Sequence, residues 1–204
     1  MLNNKFSKGV IFSCIAAIFW GLPQPLFFNE LNHVETIEVV AHRGFWSFIF
    51  LFLLLILISN ISDFIEIFKS RKRIFILTIT AFLIAGNWAG FIYSVGQERV
   101  QDASMGYFIT PMISIVLGYF FLNEKITKPK FASVCFMLSG ILFLFVNLKQ
   151  FPFLIIWIGT SWAIYGLLRK QVNVNPSIGL LYETFIISLI SIPYLIYLFW
   201  QNEN

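Results

Sequence analysis

Residues 39–58 have the sequence VVAHRGFWSFIFLFLLLILI, an almost uninterrupted apolar run of 20 residues. An α-helix rises about 1.5 Å per residue, so this run is long enough to cross the roughly 30 Å hydrocarbon core of a bilayer. The apolar residues are continuous rather than alternating, which favours a helix over the strand of a membrane barrel. The sequence therefore predicts a membrane-spanning helix, with His42 and Arg43 near its beginning.

Six further stretches share this character, so the sequence predicts an all-α, polytopic membrane protein. The seven predicted spans are Val10–Phe28, Val39–Ile58, Ile74–Gly96, Ala103–Leu122, Phe131–Leu148, Phe151–Leu168 and Ile178–Trp200. Hydrophobic residues make up 58% of the 204 residues and charged residues only 12%, whereas soluble domains average about 45–50% and about 25%. This composition excludes soluble globular, disordered and secreted disulfide-rich classes. Only Lys149 and Gln150 separate the fifth and sixth spans, which predicts a tight helical hairpin.

The basic residues predict the orientation, because the cytoplasmic loops of membrane proteins carry an excess of Lys and Arg. With the N-terminus in the cytoplasm, the outer segments carry only Arg99 and Lys149. The inner segments then carry Lys5, Lys8, Lys69, Arg71, Lys72, Arg73, Lys125, Lys128, Lys130, Arg169 and Lys170. The net charge of +4 is therefore a topology signal. It indicates a multi-pass protein in contact with membrane lipid, and no nucleic-acid partner.

Four residues at the start of the second span are unusual in lipid. Glu38, His42 and Trp46 follow at intervals of four and share one helix face. Arg43 lies roughly 7 Å below the outer boundary by the helical rise, where a charge costs on the order of 2.5–3.5 kcal/mol on insertion scales. Two interpretations remain open. One is a snorkelling arginine beside an interfacial histidine; the other is a cluster facing a wet cavity, in which Glu38 holds Arg43 or His42 and His42 carries a proton.

A second ionisable residue, Glu183, lies five residues into the seventh span, near its inner end. A carboxylate at that depth is expected to face other helices or a cavity rather than lipid. Pairing with Arg169 or Lys170 at the inner edge is the structural alternative.

Glycine, proline and polar residues interrupt several spans. Gly86 and Gly90 form a small-xxx-small pair that admits a second helix, and Asn87 between them is predicted either to bond a neighbouring helix or to contact a substrate. Proline removes a backbone hydrogen bond and bends or ends a helix. The residues predicted to serve packing or hinge motion are Gly21, Pro23, Gly86, Gly90, Gly106, Pro111 and Gly118. The aromatic binding candidates are Trp20, Trp46, Trp88, Tyr107 and Tyr165.

Two segments of the chain resemble each other. Ile18-Phe-Trp-Gly21 precedes the span that holds Arg43, and Ala163-Ile-Tyr-Gly166 precedes the span that holds Glu183. The first begins inside and the second outside, because five spans separate them. An odd number of spans between two similar segments gives them opposite orientations in the membrane, which is typical of the inverted repeats of secondary transporters.

The sequence resembles the RarD branch of the EamA-type drug/metabolite transporters from about Gly9 to its end. The matching stretches are Phe19-Trp-Gly-Leu-Pro23, Glu38-Val-Val-Ala-His-Arg-Gly-Phe-Trp-Ser47, Gly86-Asn-Trp-Ala-Gly-Phe-Ile-Tyr-Ser-Val95, Asp102-Ala-Ser-Met-Gly-Tyr-Phe-Ile-Thr-Pro111, Leu117-Gly-Tyr-Phe-Phe-Leu-Asn-Glu124, Tyr165-Gly-Leu-Leu-Arg-Lys170 and Glu183-Thr184.

The resemblance implies two inverted five-helix repeats around a central cavity. Residues 1–148 would form the first repeat and residues 149–204 the first two helices of the second. A fragment, a truncated gene or helices supplied by another chain would each account for the remaining three. The implied function is secondary transport of a small amphipathic metabolite or drug by alternating access across the bacterial inner membrane. No cofactor or metal is expected, and a homodimer is left open.

In that interpretation Arg43 pairs with an anionic group, His42 or Glu183 binds a proton, and the aromatic residues stack on the substrate. An inactive relic or a non-transporting subunit is the main alternative. Enzymatic function is disfavoured: Gly159-Thr-Ser161 faintly resembles a serine-protease motif, yet His42 lies near the opposite face and no Asp lies in mid-span. A retinal protein is disfavoured because the seventh span has no Lys.

Overall fold

The computed structural model describes residues 2–57, 61–146 and 152–202, and their regular structure is helical throughout. The helices are α1 (Leu2–Gly21), α2 (Pro23–Glu30), α3 (Thr36–Leu57), α4 (Ile61–Ile67), α5 (Arg71–Gly96), α6 (Val100–Leu122), α7 (Lys128–Val146), α8 (Phe153–Gln171) and α9 (Pro176–Asn202). The all-α prediction is confirmed.

Five helical segments of the described chain are long and apolar enough to cross a membrane. They are Ser7–Glu30, Thr36–Leu57, Arg71–Gly96, Val100–Leu122 and Pro176–Gln201. The chain is therefore a multi-pass membrane protein. Helices α7 and α8, of 19 residues each, coincide with the two other predicted spans, and the count of seven spans stays a prediction. The predicted hairpin at Lys149 and Gln150 lies outside the described residues.

Local chemistry sets where the helices begin and end. Pro23 occupies the first turn of α2, where its fixed φ and missing N–H are tolerated, so the chain bends between α1 and α2. Helix α5 begins at Arg71 because the Ser70 side chain accepts a hydrogen bond from the Arg73 backbone N–H. Asn123 adopts the left-handed conformation (φ 53°) that ends α6.

Helix α5 lies at the centre of the bundle and has the most extensively buried face. Helix α8 packs against α5 and α6, while α9 packs against α3 and α5. The α6–α8 contact is close because Gly106 and Gly159 face each other: a Cβ on Gly159 would lie 2.8 Å from the Gly106 carbonyl oxygen. In contrast, the span Ser7–Glu30 is unburied except near its end, at Phe28.

Candidate functional site

Arg43 is positioned by α3 against two aromatic rings from neighbouring helices. Its guanidinium carbon lies 4.2 Å from the ring centre of Trp88 on α5 and 5.5 Å from that of Phe28 on α2. Both distances fall within the range of cation–π attraction. No carboxylate of the described residues lies within ion-pair distance of Arg43. The rings therefore hold the guanidinium in place without neutralising its charge.

A cavity of about 540 Å³ opens beside this cluster, between α2 and α3. Its lining includes Glu38, His42, Arg43 and Trp46, so the predicted face of the second span borders one space. His42 and Trp46 are exposed and Glu38 is half-buried. Glu38 forms no ion pair with Arg43 or His42 among the described residues. The predicted face therefore borders a cavity, without the predicted Glu38 contact.

Asn87 joins three helices through its amide group. Its Nδ2 donates to the Ile158 carbonyl oxygen and to Ser161 Oγ, both at 3.0 Å on α8. Its Oδ1 accepts from the Tyr107 hydroxyl at 2.8 Å on α6. Asn87 is completely buried. Of the two roles predicted for this amide, the geometry matches the helix-bridging one.

A column of aromatic rings connects the region of Asn87 with the region of Glu183. Trp162 on α8 contacts Tyr107 edge-on at 6.3 Å and Trp20 at 6.2 Å. The same indole stacks on Tyr165, with ring centres 5.0 Å apart and 14° between the planes. Four aromatic residues from α1, α6 and α8 thus form one contiguous set, three of them predicted from the sequence.

Glu183 lies fully buried at the other end of this column. Its Oε1 accepts a hydrogen bond from the Thr80 hydroxyl at 2.6 Å, and its Oε2 accepts one from the Tyr165 hydroxyl at 3.0 Å. The Nε of Arg169 lies 3.6 Å from Oε1. Glu183 therefore faces other helices, as expected, and Arg169 is its cationic neighbour. We call Glu183, Thr80, Tyr165 and Arg169 the Glu183 cluster.

The glycine pair of α5 receives a side chain of α8. The Trp157 indole lies over Gly86 and Gly90, and its Nε1 donates to the Gly86 carbonyl oxygen at 3.0 Å. A Cβ on Gly86 would lie 2.8 Å from this indole. Because neither glycine has a side chain, the Trp157 indole of α8 can pack directly against the backbone of α5.

The other packing and hinge candidates have varied surroundings. Gly106 contacts Ile158 of α8, and Pro111 lies within α6 without ending it. Gly118 accommodates the Glu124 carboxylate, which would lie 3.2 Å from a Cβ there. Gly21 is exposed, and a Cβ there would have no described atom within 4 Å beyond its own helix. Of these glycines, only Gly106 is packed against another helix.

An ion-pair network joins the predicted inner ends of α6, α7 and α8. Lys170 Nζ lies 2.5 Å from Glu124 Oε1, and Lys130 Nζ lies 3.8 Å from Glu124 Oε2. The hydrogen bond and the positive charge of Lys170 lower the pKa of the Glu124 carboxyl below its usual value. A carboxyl whose pKa is lower in the folded chain stabilises that chain at neutral pH, and this contribution disappears as the pH falls through the lowered pKa.

Lys170→Gln is therefore expected to lower the thermal midpoint at pH 7 but not in acid. The difference from the unsubstituted chain should vanish only below the ordinary glutamate pKa of about 4.3. Thermal unfolding of both chains at a series of pH values, from 7 to below the ordinary glutamate pKa, measures this difference in thermal midpoint. Lys69→Gln is the matched control, because Lys69 pairs with Glu66 at 3.9 Å with both side chains mostly exposed. A Lys170→Gln difference that persists in strong acid would contradict the assignment.

Sequence reasoning missed Thr80 and Trp162, and it named Ser161 only in the disfavoured serine-protease motif. Thr80 lies seven residues before Asn87, so the two polar residues occupy one face of α5; this spacing was a usable signal. Trp162 likewise shares a face with Tyr165, three residues later. Ser161 had no such signal, because its role depends on how α8 packs against Asn87.

Comparisons with known proteins agree with the helical membrane architecture. The model of a family described as the EamA-like transporter family matches residues 7–146. The chain is 33% identical over 177 residues to Protein RarD of Escherichia coli (strain K12), which covers 87% of this chain and 60% of that protein. An uncharacterized transporter of Vibrio cholerae is 33% identical over 191 residues, 94% of this chain and 63% of that protein.

A third relative, named chloramphenicol-sensitive protein RarD in Pseudomonas aeruginosa, is 24% identical over 180 residues, 86% of this chain and 60% of that protein. The chain thus spans between 60% and 63% of the length of these three relatives. No solved structure matches it.

Proposed function

Because the chain belongs to the EamA-like transporter family, we propose that it contributes the substrate-binding region of a secondary transporter. The transporter resides in the bacterial inner membrane, with its N-terminus in the cytoplasm. It moves a small amphipathic metabolite or drug by alternating access. The names of the relatives from Vibrio cholerae and Bacillus subtilis, both uncharacterized transporters, agree with this class.

The packing supports an inverted-repeat organisation. Helices α8 and α9, assigned to the second repeat, pack against α3, α5 and α6 of the first. Arg43 and Glu183 occupy corresponding positions in α3 and α9, each seven residues after the first residue of its helix. A two-fold axis in the membrane plane would place them toward opposite faces, as the repeat requires.

The observation that carries the proposal is the charged Arg43 guanidinium beside the cavity. A membrane-embedded cation without a carboxylate partner is costly and calls for a role. The cavity of about 540 Å³ lies within the common size range of small-molecule pockets. Its largely apolar lining suits the body of an amphipathic molecule, and Arg43 suits an anionic group on the same molecule.

Binding of naphthalene-2-sulfonate, a permanently anionic aromatic probe, tests this assignment. Naphthalene-2-sulfonamide has the same ring system without the charge, and chloramphenicol adds a neutral amphipathic probe suggested by the name of the Pseudomonas relative. We expect the sulfonate to raise the thermal midpoint of the chain in nanodiscs more than either neutral probe does, because ligands that bind only the folded state stabilise it.

Arg43→Gln is expected to weaken sulfonate binding by about 10- to 100-fold, the range corresponding to one hydrogen bond to a charged group. Binding of the sulfonamide should change little. Arg99→Gln is the matched control, because Arg99 lies on the same predicted side but pairs with Asp102. Unchanged sulfonate binding in a folded Arg43→Gln variant would remove Arg43 from the site. Binding without counterflow in proteoliposomes would favour the non-transporting alternative for this chain.

A further inference from the structure

The Thr80 hydroxyl can satisfy Glu183 in either protonation state. Thr80 Oγ1 lies 2.6 Å from Glu183 Oε1 and 3.0 Å from the Leu77 carbonyl oxygen. A hydroxyl has one proton to donate and can also accept. With Glu183 ionised, Thr80 donates to the carboxylate. With Glu183 protonated, the carboxylic acid donates to Thr80, and Thr80 donates to Leu77. Neither Thr80 nor Glu183 has to move a heavy atom between the two states.

Arg169 is close to Glu183 without being fixed to it. The 3.6 Å between Arg169 Nε and Glu183 Oε1 exceeds an ordinary hydrogen bond. Its Nη2 instead donates to the carbonyl oxygen of Pro176, the exposed first residue of α9, at 3.1 Å. Its Nη1 is buried without a hydrogen-bond partner among the described atoms. An unsatisfied buried donor is costly, so the guanidinium has a reason to leave when the negative charge disappears.

From these contacts we propose that Glu183 is the proton-binding residue that couples transport, and that Arg169 is the cation which its protonation releases. A hydronium ion at the predicted inner end gives one proton to Oε1: one O–H bond of the hydronium ion breaks, one O–H bond forms on Glu183, and a water molecule remains. Arg169 then swings outward at the exposed beginning of α9, beside Pro176, where water solvates its charge. This inference rests on the proposed transport function and names its coupling ion.

The other groups packed around Glu183 leave Arg169 as its counter-charge. From α5, Thr80 faces the carboxyl, and from α8, Tyr165 and Arg169 face it. The acidic residues of α4, Asp63 and Glu66, are exposed to solvent. No titratable side chain of α3 lies within hydrogen-bond or ion-pair distance of the carboxyl among the described contacts.

The aromatic column gives this site a physical connection to the substrate region. Tyr165 bonds Glu183 through its hydroxyl and stacks on Trp162 through its ring. Trp162 contacts Tyr107, which bonds Asn87 beside Trp88. A displacement of Tyr165 when Arg169 leaves the Glu183 cluster would therefore be passed through these rings to α5, the helix that carries Trp88.

Infrared titration of the chain in nanodiscs tests proton binding without any substrate. The spectrum of the unsubstituted chain minus that of Glu183→Gln isolates the Glu183 carboxyl. We expect a carboxylic-acid band that grows on acidification in this difference, and Thr80→Val is expected to shift its frequency because the hydroxyl partner is lost. Glu66→Gln provides the spectrum of an exposed carboxyl. A Glu183 carboxyl that remains ionised at every pH at which the chain stays folded would overturn the proposal.

Transport in proteoliposomes tests coupling with radiolabelled naphthalene-2-sulfonate, which keeps its charge at all working pH values. Glu183→Gln preserves the shape of the residue but cannot take up the proton. It should lose proton-gradient-driven accumulation by at least about tenfold, within the usual range of coupling between two sites. Proton-driven accumulation that survives in Glu183→Gln would overturn the coupling role. If the unsubstituted chain shows no counterflow, transport of this probe fails, while the infrared titration still decides whether Glu183 binds a proton.

Discussion

Gly159→Ala is expected to destabilise the chain, although alanine favours helices over glycine by roughly 0.5–1 kcal/mol. The added methyl group would lie 2.8 Å from the Gly106 carbonyl oxygen and 3.4 Å from Ile109 Cβ. Backbone atoms cannot rotate away as a side chain can, so α6 and α8 must separate. Separation loosens the Asn87 bonds to α8 as well. We expect a net loss of about 1–3 kcal/mol in the free energy of unfolding, the usual range for overpacked sites.

Reversible unfolding in mixed detergent micelles measures this loss. Gly166→Ala is a matched control in the same helix, because a Cβ at Gly166 would have no atom within 4 Å beyond its own helix. It should leave the stability unchanged or raise it slightly. Gly106→Ala should behave like Gly159→Ala, since its methyl group would lie 3.0 Å from the Ile155 carbonyl oxygen. Equal stabilities of Gly159→Ala and Gly166→Ala would show that α6 and α8 do not depend on this contact.

Hydropathy alone located the helices well but misplaced their beginnings. The predicted spans Ile74–Gly96 and Ala103–Leu122 correspond to α5 and α6, which begin three residues earlier, at Arg71 and Val100. Charged and polar residues were excluded from the spans because they do not belong in lipid. They nevertheless form the first helical turn, where water and caps such as Ser70 satisfy the backbone. The family resemblance read from the motifs is confirmed by the match over residues 7–146.

The candidate site was predictable where one residue was anomalous by itself. Arg43, Asn87 and Glu183 stood out because polar groups are costly in lipid. Trp88 was among the aromatic candidates, but Thr80 and Trp162 were missed, because either could equally face lipid or fill a core. Which residues meet depends on how α8 packs against α5 and α6, and on how α3 and α9 pack against α5. Without a structure, spacing along one helix can suggest a shared face but not the residue across from it.

Gly179 has no side chain, and this leaves room for the Arg169 guanidinium in the Glu183 cluster. It lies in the first turn of α9, and a Cβ there would collide with Nη1 of Arg169. Glycine is unfavourable inside a helix. Its presence here is explained by the space that the Arg169 guanidinium occupies. Gly179→Ala is therefore expected to expel Arg169 and leave Glu183 buried without its cation. The expected cost is on the order of 3 kcal/mol at neutral pH, the low end for breaking a buried ion pair, because Arg169 can be solvated again.

A double-mutant cycle separates this mechanism from simple crowding, using unfolding in mixed micelles at neutral pH. Arg169→Gln should cost about as much as Gly179→Ala, and the two together little more, because both remove the same interaction. In the Glu183→Gln background, Gly179→Ala should cost far less, since no buried charge is left uncompensated. A cost that is equal in both backgrounds would mean that Gly179 serves only packing and does not seat Arg169 beside Glu183. A stabilising Gly179→Ala would show that the guanidinium occupies another position in the membrane.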